Sequence, residues 1–170
     1  RARALGALTP AARSELLGAV FEHQNPDGGF GAARGYESDG FDTALALSAL
    51  HDLGASADSR VRGAIVALAG LHVPEGGWAL VPGRGASTLA TAQVLRALHD
   101  WADVPEASAL LAPAIAALSS RQTGDGGFGE SPSTTNGTAL ALIALDRSGA
   151  PAGIVDPATA WLQRTQLAEG

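Results

Sequence analysis

Three times the chain closes an apolar helical stretch and then writes the same turn. Gln24-Asn25-Pro26-Asp27-Gly28-Gly29-Phe30-Gly31 is the first copy, His72-Val73-Pro74-Glu75-Gly76-Gly77-Trp78 the second and Gln122-Thr123-Gly124-Asp125-Gly126-Gly127-Phe128-Gly129 the third. Gln166-Leu167-Ala168-Glu169-Gly170 begins a fourth, so the acids recur at positions 27, 75, 125 and 169. A period of this size means one supersecondary unit used repeatedly, each copy burying the face its neighbour leaves open.

A second segment recurs in phase with the turns. Asp42-Thr43-Ala44-Leu45-Ala46-Leu47-Ser48-Ala49-Leu50 matches Ala90-Thr91-Ala92-Gln93-Val94-Leu95-Arg96-Ala97-Leu98 and Gly137-Thr138-Ala139-Leu140-Ala141-Leu142-Ile143-Ala144-Leu145. These Thr-Ala segments are apolar nearly all round, as buried helices are. The helices before the turns carry a narrower stripe (Leu17, Val20, Phe21, Gln24) beside charged Arg13 and Glu22. The pattern predicts seven helices, at 10–24, 41–53, 58–72, 88–101, 105–122, 136–148 and 157–167, in an inner and an outer layer. Thr9-Pro10 and Asp156-Pro157 read as cap-then-proline starts. Gly54 and Gly149 stand where left-handed C-terminal caps are wanted. Pro105 and Glu106 open a helix that then meets Pro113, which predicts a kink or a later start.

The turn has a structural reading of its own. Paired glycines after an acid permit positive φ and a sharp reversal. The acid accepts bonds from nearby amides, and Phe30, Trp78 and Phe128 are driven between helices as apolar wedges. Gln24 and Gln122, with His72 in the same slot, are placed to bond carbonyls at a helix end or the next turn. The structural set is therefore Gln24, Asp27, Gly28, Gly29 and Phe30; Glu75, Gly76, Gly77 and Trp78; and Gln122, Asp125, Gly126, Gly127 and Phe128.

The sequence Gln-x-x-Asp/Glu-Gly-Gly-Phe/Trp followed by Thr-Ala-x-x-x-x-Ala-Leu resembles the repeat of the terpenoid cyclase and protein prenyltransferase superfamily, including the Gln-Trp motif of squalene and hopene cyclases. The resemblance implies an all-α fold, an α/α toroid in which inner helices line an apolar cavity. A closed toroid of this kind uses about six hairpins. This chain supplies three and the first helix of a fourth, as repeats at 10–54, 55–101, 105–149 and 156–170 within one domain, 1–170. With no Met and a last residue inside a motif copy, the chain reads as a piece of a longer protein.

Composition narrows the function. A net charge of −6 with 11 Lys and Arg leaves no footprint for nucleic acid. The longest apolar stretches fall well short of a membrane span. Without Cys there is no disulfide framework and no thioester chemistry of the complement type. The zinc site of the prenyltransferases also needs a Cys, and His23, His51, His72 and His99 lack metal-ligand spacing, so no metal and no cofactor is implied. His51 and His99 occupy matching repeat positions and are read as caps on helix-end carbonyls.

The stretch that bears on chemistry is Glu37-Ser38-Asp39-Gly40-Phe41-Asp42-Thr43-Ala44. In class II terpene cyclases an Asp-x-Asp-Asp motif precedes such a Thr-Ala start, and its middle Asp protonates an alkene or epoxide. That reaction needs a carboxylic acid kept neutral and made strongly acidic by its neighbours. By this resemblance Asp39 and Asp42 match the flanking acids and are the candidate catalytic residues, while Phe41 stands at the donor. The residues alone favour a structural role, with Asp42 an N-cap or first-turn acid and both carboxyls kept ionised by helix-start amides. The function expected is a non-catalytic toroid module that binds an apolar, isoprenoid-like ligand or a protein partner, or serves as a spacer. The resemblance to prenyltransferase and squalene oxidase repeat proteins implies a secreted or cell-surface, bacterial-type context. The alternative is part of a class II terpene cyclase whose acid lies outside this segment.

Overall fold

The computed structural model describes residues 8–169, with side chains as far as Gln166. It contains seven α-helices: α1 (Pro10–Phe21), α2 (Gly40–Asp52), α3 (Ser59–Gly70), α4 (Thr88–Asp100), α5 (Pro105–Ser119), α6 (Thr135–Arg147) and α7 (Ala152–Glu169). No strand forms among the described residues; the turns contribute only isolated bridges, such as His72 with Trp78 and Gln122 with Phe128.

The Thr-Ala helices form the inner layer. α4 lies between α2 and α6 and is backed by α5; α3 packs on α2 and α5, α7 on α6, and α1 on α2. Burial follows this order. Nine residues of α4 are buried, six of α2 and five of α6, against four each in α3 and α5 and none in α1. The fold is thus all-α and consistent with an arc of an α/α toroid, its core running between the two layers through Leu47, Leu50, Ile65, Leu68, Leu95, Leu98, Leu118 and Leu145.

Local signals explain the boundaries. Thr9, Asp39, Asp58, Ser87 and Thr134 each accept an amide of the first turn that follows, satisfying donors the helix leaves free. Gly54 and Gly149 take φ of 72° and 69°, and Ala55 and Ala150 donate back to the carbonyls of Leu50 and Leu145, closing both ends as expected. α5 starts at Pro105 and passes through Pro113 as one helix.

Several expectations are corrected. α1 and α5 end at Phe21 and Ser119, before Gln24 and Gln122, because those glutamines belong to the turns and bond carbonyls within them. α3 likewise stops at Gly70, ahead of His72. α7 begins at Ala152, where the Pro151 carbonyl accepts the Ile154 amide, so Pro157 lies inside the helix rather than at its start. The helix then runs through Gln166 to Glu169; Gly170 lies outside the described residues.

Candidate functional site

The site is held from above by the three turns, and each turn is tied to its inner helix by a threonine. The Phe30 amide donates to Thr43 Oγ1 at 2.9 Å, and that hydroxyl donates back to the Phe30 carbonyl at 3.1 Å. Thr138 clasps Phe128 in the same way, at 2.9 and 3.2 Å. Thr91 accepts from the Trp78 amide at 3.1 Å. The aromatic rings are thereby fixed in the core, 4 % exposed for Phe30 and 0 % for Trp78 and Phe128. The Trp78 indole also donates to the Leu68 carbonyl at 2.7 Å. The threonine is part of the repeated pattern, but its partner is not legible from spacing within a helix.

The polar turn residues complete the joint. Gln24 Nε2 donates to the Gly28 carbonyl and to the Arg60 carbonyl in the first turn of α3, both at 2.8 Å. Gln122 repeats this with Gly126 and with Ile154 of α7, both at 2.9 Å. His72 Nε2 instead accepts the Gly77 amide at 3.1 Å. Asp27 accepts the Gly29 amide and the Ser38 hydroxyl, at 2.9 and 2.8 Å. Asp125 accepts from Thr123, from the Gly127 amide, from Ser133 and from the Trp161 indole; these donors hold its carboxyl well below the usual range. Glu75 reaches the Ala86 amide at 3.1 Å. Gly28 adopts φ +88°, and a Cβ there would stand 2.7 Å from the Gly63 carbonyl oxygen, so this turn needs glycine both for its conformation and for its approach to α3.

Three faces of α4 are covered, by α2, α5 and α6. The stripe left over, which looks into the arc, contains Leu89, Gln93, Arg96 and Asp100, spaced by four, three and four residues. The matching stripe of α2 is Phe41, Leu45, Ser48 and Asp52, and that of α6 is Asn136, Leu140, Ile143 and Arg147. Leu45 and Ile143 are 40 % and 49 % exposed, as unpartnered apolar residues on this concave face.

Asp39 and Asp42 come together at the start of α2. Asp39 is the N-cap, with its carboxylate on the Asp42 amide at 2.8 Å, and only 7 % of the residue is exposed. Asp42 is a first-turn acid. The expectation that helix-start amides keep it readily ionised is corrected: the Asp42 carboxyl is pushed up to about 6, first by burial, then by its hydrogen bond to Asp39 and by the Asp39 charge. Asp42 lies on the wall of two open pockets. One, of about 450 Å³, is shared with the acids Glu37 and Asp39 and with Tyr36, Leu80, Val81 and Pro82; the other, of about 390 Å³, lies between α1 and α2 with Leu16, Val20, Phe30 and Ala46. A larger solvent-open groove of about 740 Å³ separates the first and second turns and includes Asp39 but not Asp42. One residue is about 100° of helix rotation. Phe41 therefore faces the concave side with Leu45, and Asp42 is turned from it toward the edge where α1 packs.

The corresponding starts of α4 and α6 carry no acid of their own. At α4 the place is taken by Glu130 from the third turn, which accepts the Thr88 amide at 2.7 Å and pairs with Arg121 at 2.8 Å. Among the described residues, His51 and His99 cap no carbonyl, and His99 Nδ1 is buried without a partner. His51 packs edge-on to Trp101, with centroids 5.4 Å apart, and the Trp101 indole takes the Leu47 carbonyl instead. Among the described residues no group of three or more His, Asp or Glu side chains forms a metal-binding cluster, and no helix is long and apolar enough to cross a membrane.

No family model and no curated protein matches the chain. Among solved structures it is similar to a variant of MstE, a type II terpene cyclase from Scytonema, in complex with its substrate geranylgeranyl dihydroxybenzoate, at 26% identity and a TM-score of 0.63. The similarity covers 92% of this chain and 50% of the cyclase, so the chain spans half of that enzyme's length. The inner and outer helices with their clasped turns are built on a terpene cyclase-like fold.

Proposed function

We propose that this chain is a non-catalytic segment of a terpene cyclase-like toroid that holds an apolar, isoprenoid-like ligand against its concave face. The observation that carries this reading is the register of α2. The first-turn position that looks into the arc is Phe41, which has no proton to give, and Leu45 continues its apolar stripe. Asp39 spends its carboxylate on capping the helix. The neighbour's geranylgeranyl substrate supports an isoprenoid as the ligand class.

A second reading has one observation in its favour. Asp42 is desolvated beside apolar walls and holds its proton up to about pH 6, as a general acid must. On this reading the segment belongs to a cyclase and Asp42 contributes to the acid pair, with further groups supplied from outside the segment.

Incubation of the protein with linear geranylgeranyl substrates, followed by product analysis, separates the two. The module reading expects bound, unchanged isoprenoid. Cyclised product that disappears in Asp42→Asn would replace it with the cyclase reading.

A further inference from the structure

Two of the three turns are wired alike and the second differs. In the first, the amide of the second glycine, Gly29, donates to Asp27 at 2.9 Å; in the third, Gly127 donates to Asp125 at 2.9 Å. In the second, the matching Gly77 amide goes to His72 Nε2 at 3.1 Å. Glu75, one methylene longer than aspartate, reaches past it to the Ala86 amide. Gln24 and Gln122 tie their turns to the next outer helix, whereas His72 spends its Nε2 within its own turn. Gly77 takes φ of +91°, a conformation that Gly29 and Gly127 do not adopt. The threonine clasp is longer here too, 3.5 Å from Thr91 to the Trp78 carbonyl against 3.1 and 3.2 Å in the other turns.

A carboxylate accepts an amide throughout the neutral range, but an imidazole accepts only while it is neutral. Imidazole is also the side chain whose charge ordinarily changes between about pH 5 and 8. Once protonated, both of its nitrogens are donors, and the Gly77 N–H is left facing another N–H. His72 is exposed on the groove between the first and second turns, so protons reach it. The charged groups lining that groove are acids, Asp27 of the first turn and Glu37 and Asp39 before α2, and each attracts a positive charge on the ring. The Trp78 ring stands edge-on to it at 5.1 Å. α3, which His72 follows, carries Arg60 and Arg62 at its far end. On α5 and just beyond it, Glu106 and Arg121 are engaged with Arg62 and Glu130.

We propose that His72 is a pH-operated latch on the second turn. Neutral, it holds Gly77 and with it the strap 78–87; protonated, it lets both go. The strap closes on the turn through the Ser87 amide, which donates to the Trp78 carbonyl at 2.8 Å, and through a bridge between Ala79 and Ala86. Its Leu80, Val81 and Pro82 form one wall of the pocket beside Asp42, so release of the strap opens that pocket to water. The latch requires no bound ligand.

Amide hydrogen exchange followed by NMR, at about pH 7.5 and about pH 5, tests the latch across the range in which histidine titrates. Protection is compared with that of an unstructured chain at each pH. Gly77 and Ser87 are expected to lose about tenfold protection at the lower pH, roughly the worth of one hydrogen bond. Gly29 and Gly127, held by carboxylates, should keep theirs. His72→Gln, which installs the side chain of the other two turns, should abolish the response. Asp42 titrates in the same range, so Asp42→Asn should leave the response in place. Equal behaviour of the three glycines in the unaltered protein would overturn the latch. So would a loss at Gly77 that survives in His72→Gln or disappears in Asp42→Asn. A loss at Gly77 with Ser87 unchanged would overturn release of the strap. Because the first comparison is among three turns of one unaltered molecule, a variant that does not fold leaves the test decisive.

Discussion

At the scale of single residues, the turns depend on groups with no exposed partner to fall back on. Trp78 is fully buried and its indole donates to the Leu68 carbonyl. Trp78→Ala removes the ring and leaves that carbonyl short of a donor. A loss of about 3–5 kcal/mol is expected for truncating a fully buried aromatic, read from urea melts; a loss under about 1 kcal/mol would mean the ring does not act as a wedge. Asp42 makes a prediction with a sign. Its carboxyl is raised from 3.8 to about 6 in the folded chain. A carboxyl raised in this way stabilises the fold while protonated; the contribution is whole below the unfolded value and is lost as pH rises through about 6. Asp42→Asn should therefore match the wild type near pH 4 and exceed it at pH 7, by on the order of 1 kcal/mol once solvent screening at a partly exposed site is allowed for. Equal pH profiles for the two proteins would show that Asp42 titrates normally.

At the scale of elements, each inner helix is anchored at its N-terminus from outside itself as well as within. Glu130 crosses from the third turn to the Thr88 amide at the start of α4 and is held there by Arg121. Glu130→Ala should cost about 1 kcal/mol, in the range of a lost N-terminal cap; denaturant melts check it, and a loss indistinguishable from zero would show that the Thr88 amide does not depend on this carboxylate. Much of this level was legible in the sequence. The Gly-Gly-aromatic turns fixed the number of helices, and the glycine caps at 54 and 149 fixed two ends. What was not legible depended on partners far along the chain. Gln24 and Gln122 looked like the last residues of their helices, yet they bond carbonyls of α3 and α7, so the helices stop short of them. Pro157 looked like a helix start, yet the chain had already turned helical at Ala152. The environment of Asp42 could not be read either, because the apolar wall beside it comes from Leu80 and Val81 in the next turn.

For the whole molecule, alternation of layers produces a surface as well as a core. Stacking three inner helices covers three sides of α4 and leaves one stripe per helix facing inward. Those stripes join into one face on which apolar Phe41, Leu45, Leu89, Leu140 and Ile143 stand among polar Ser48, Gln93, Arg96 and Asn136. The central claim is that this face, rather than the groove between α1 and α2 or the outer helices, is where a ligand lies. Photolabelling with a diazirine-bearing geranylgeranyl chain, mapped by peptide mass spectrometry, tests it most directly. The account predicts label on Phe41, Leu45, Leu89, Leu140 and Ile143, suppressed by unlabelled isoprenoid. Label confined to Leu16, Val20 and Ala46 or to the outer helices, or label that competitor does not suppress, would contradict it.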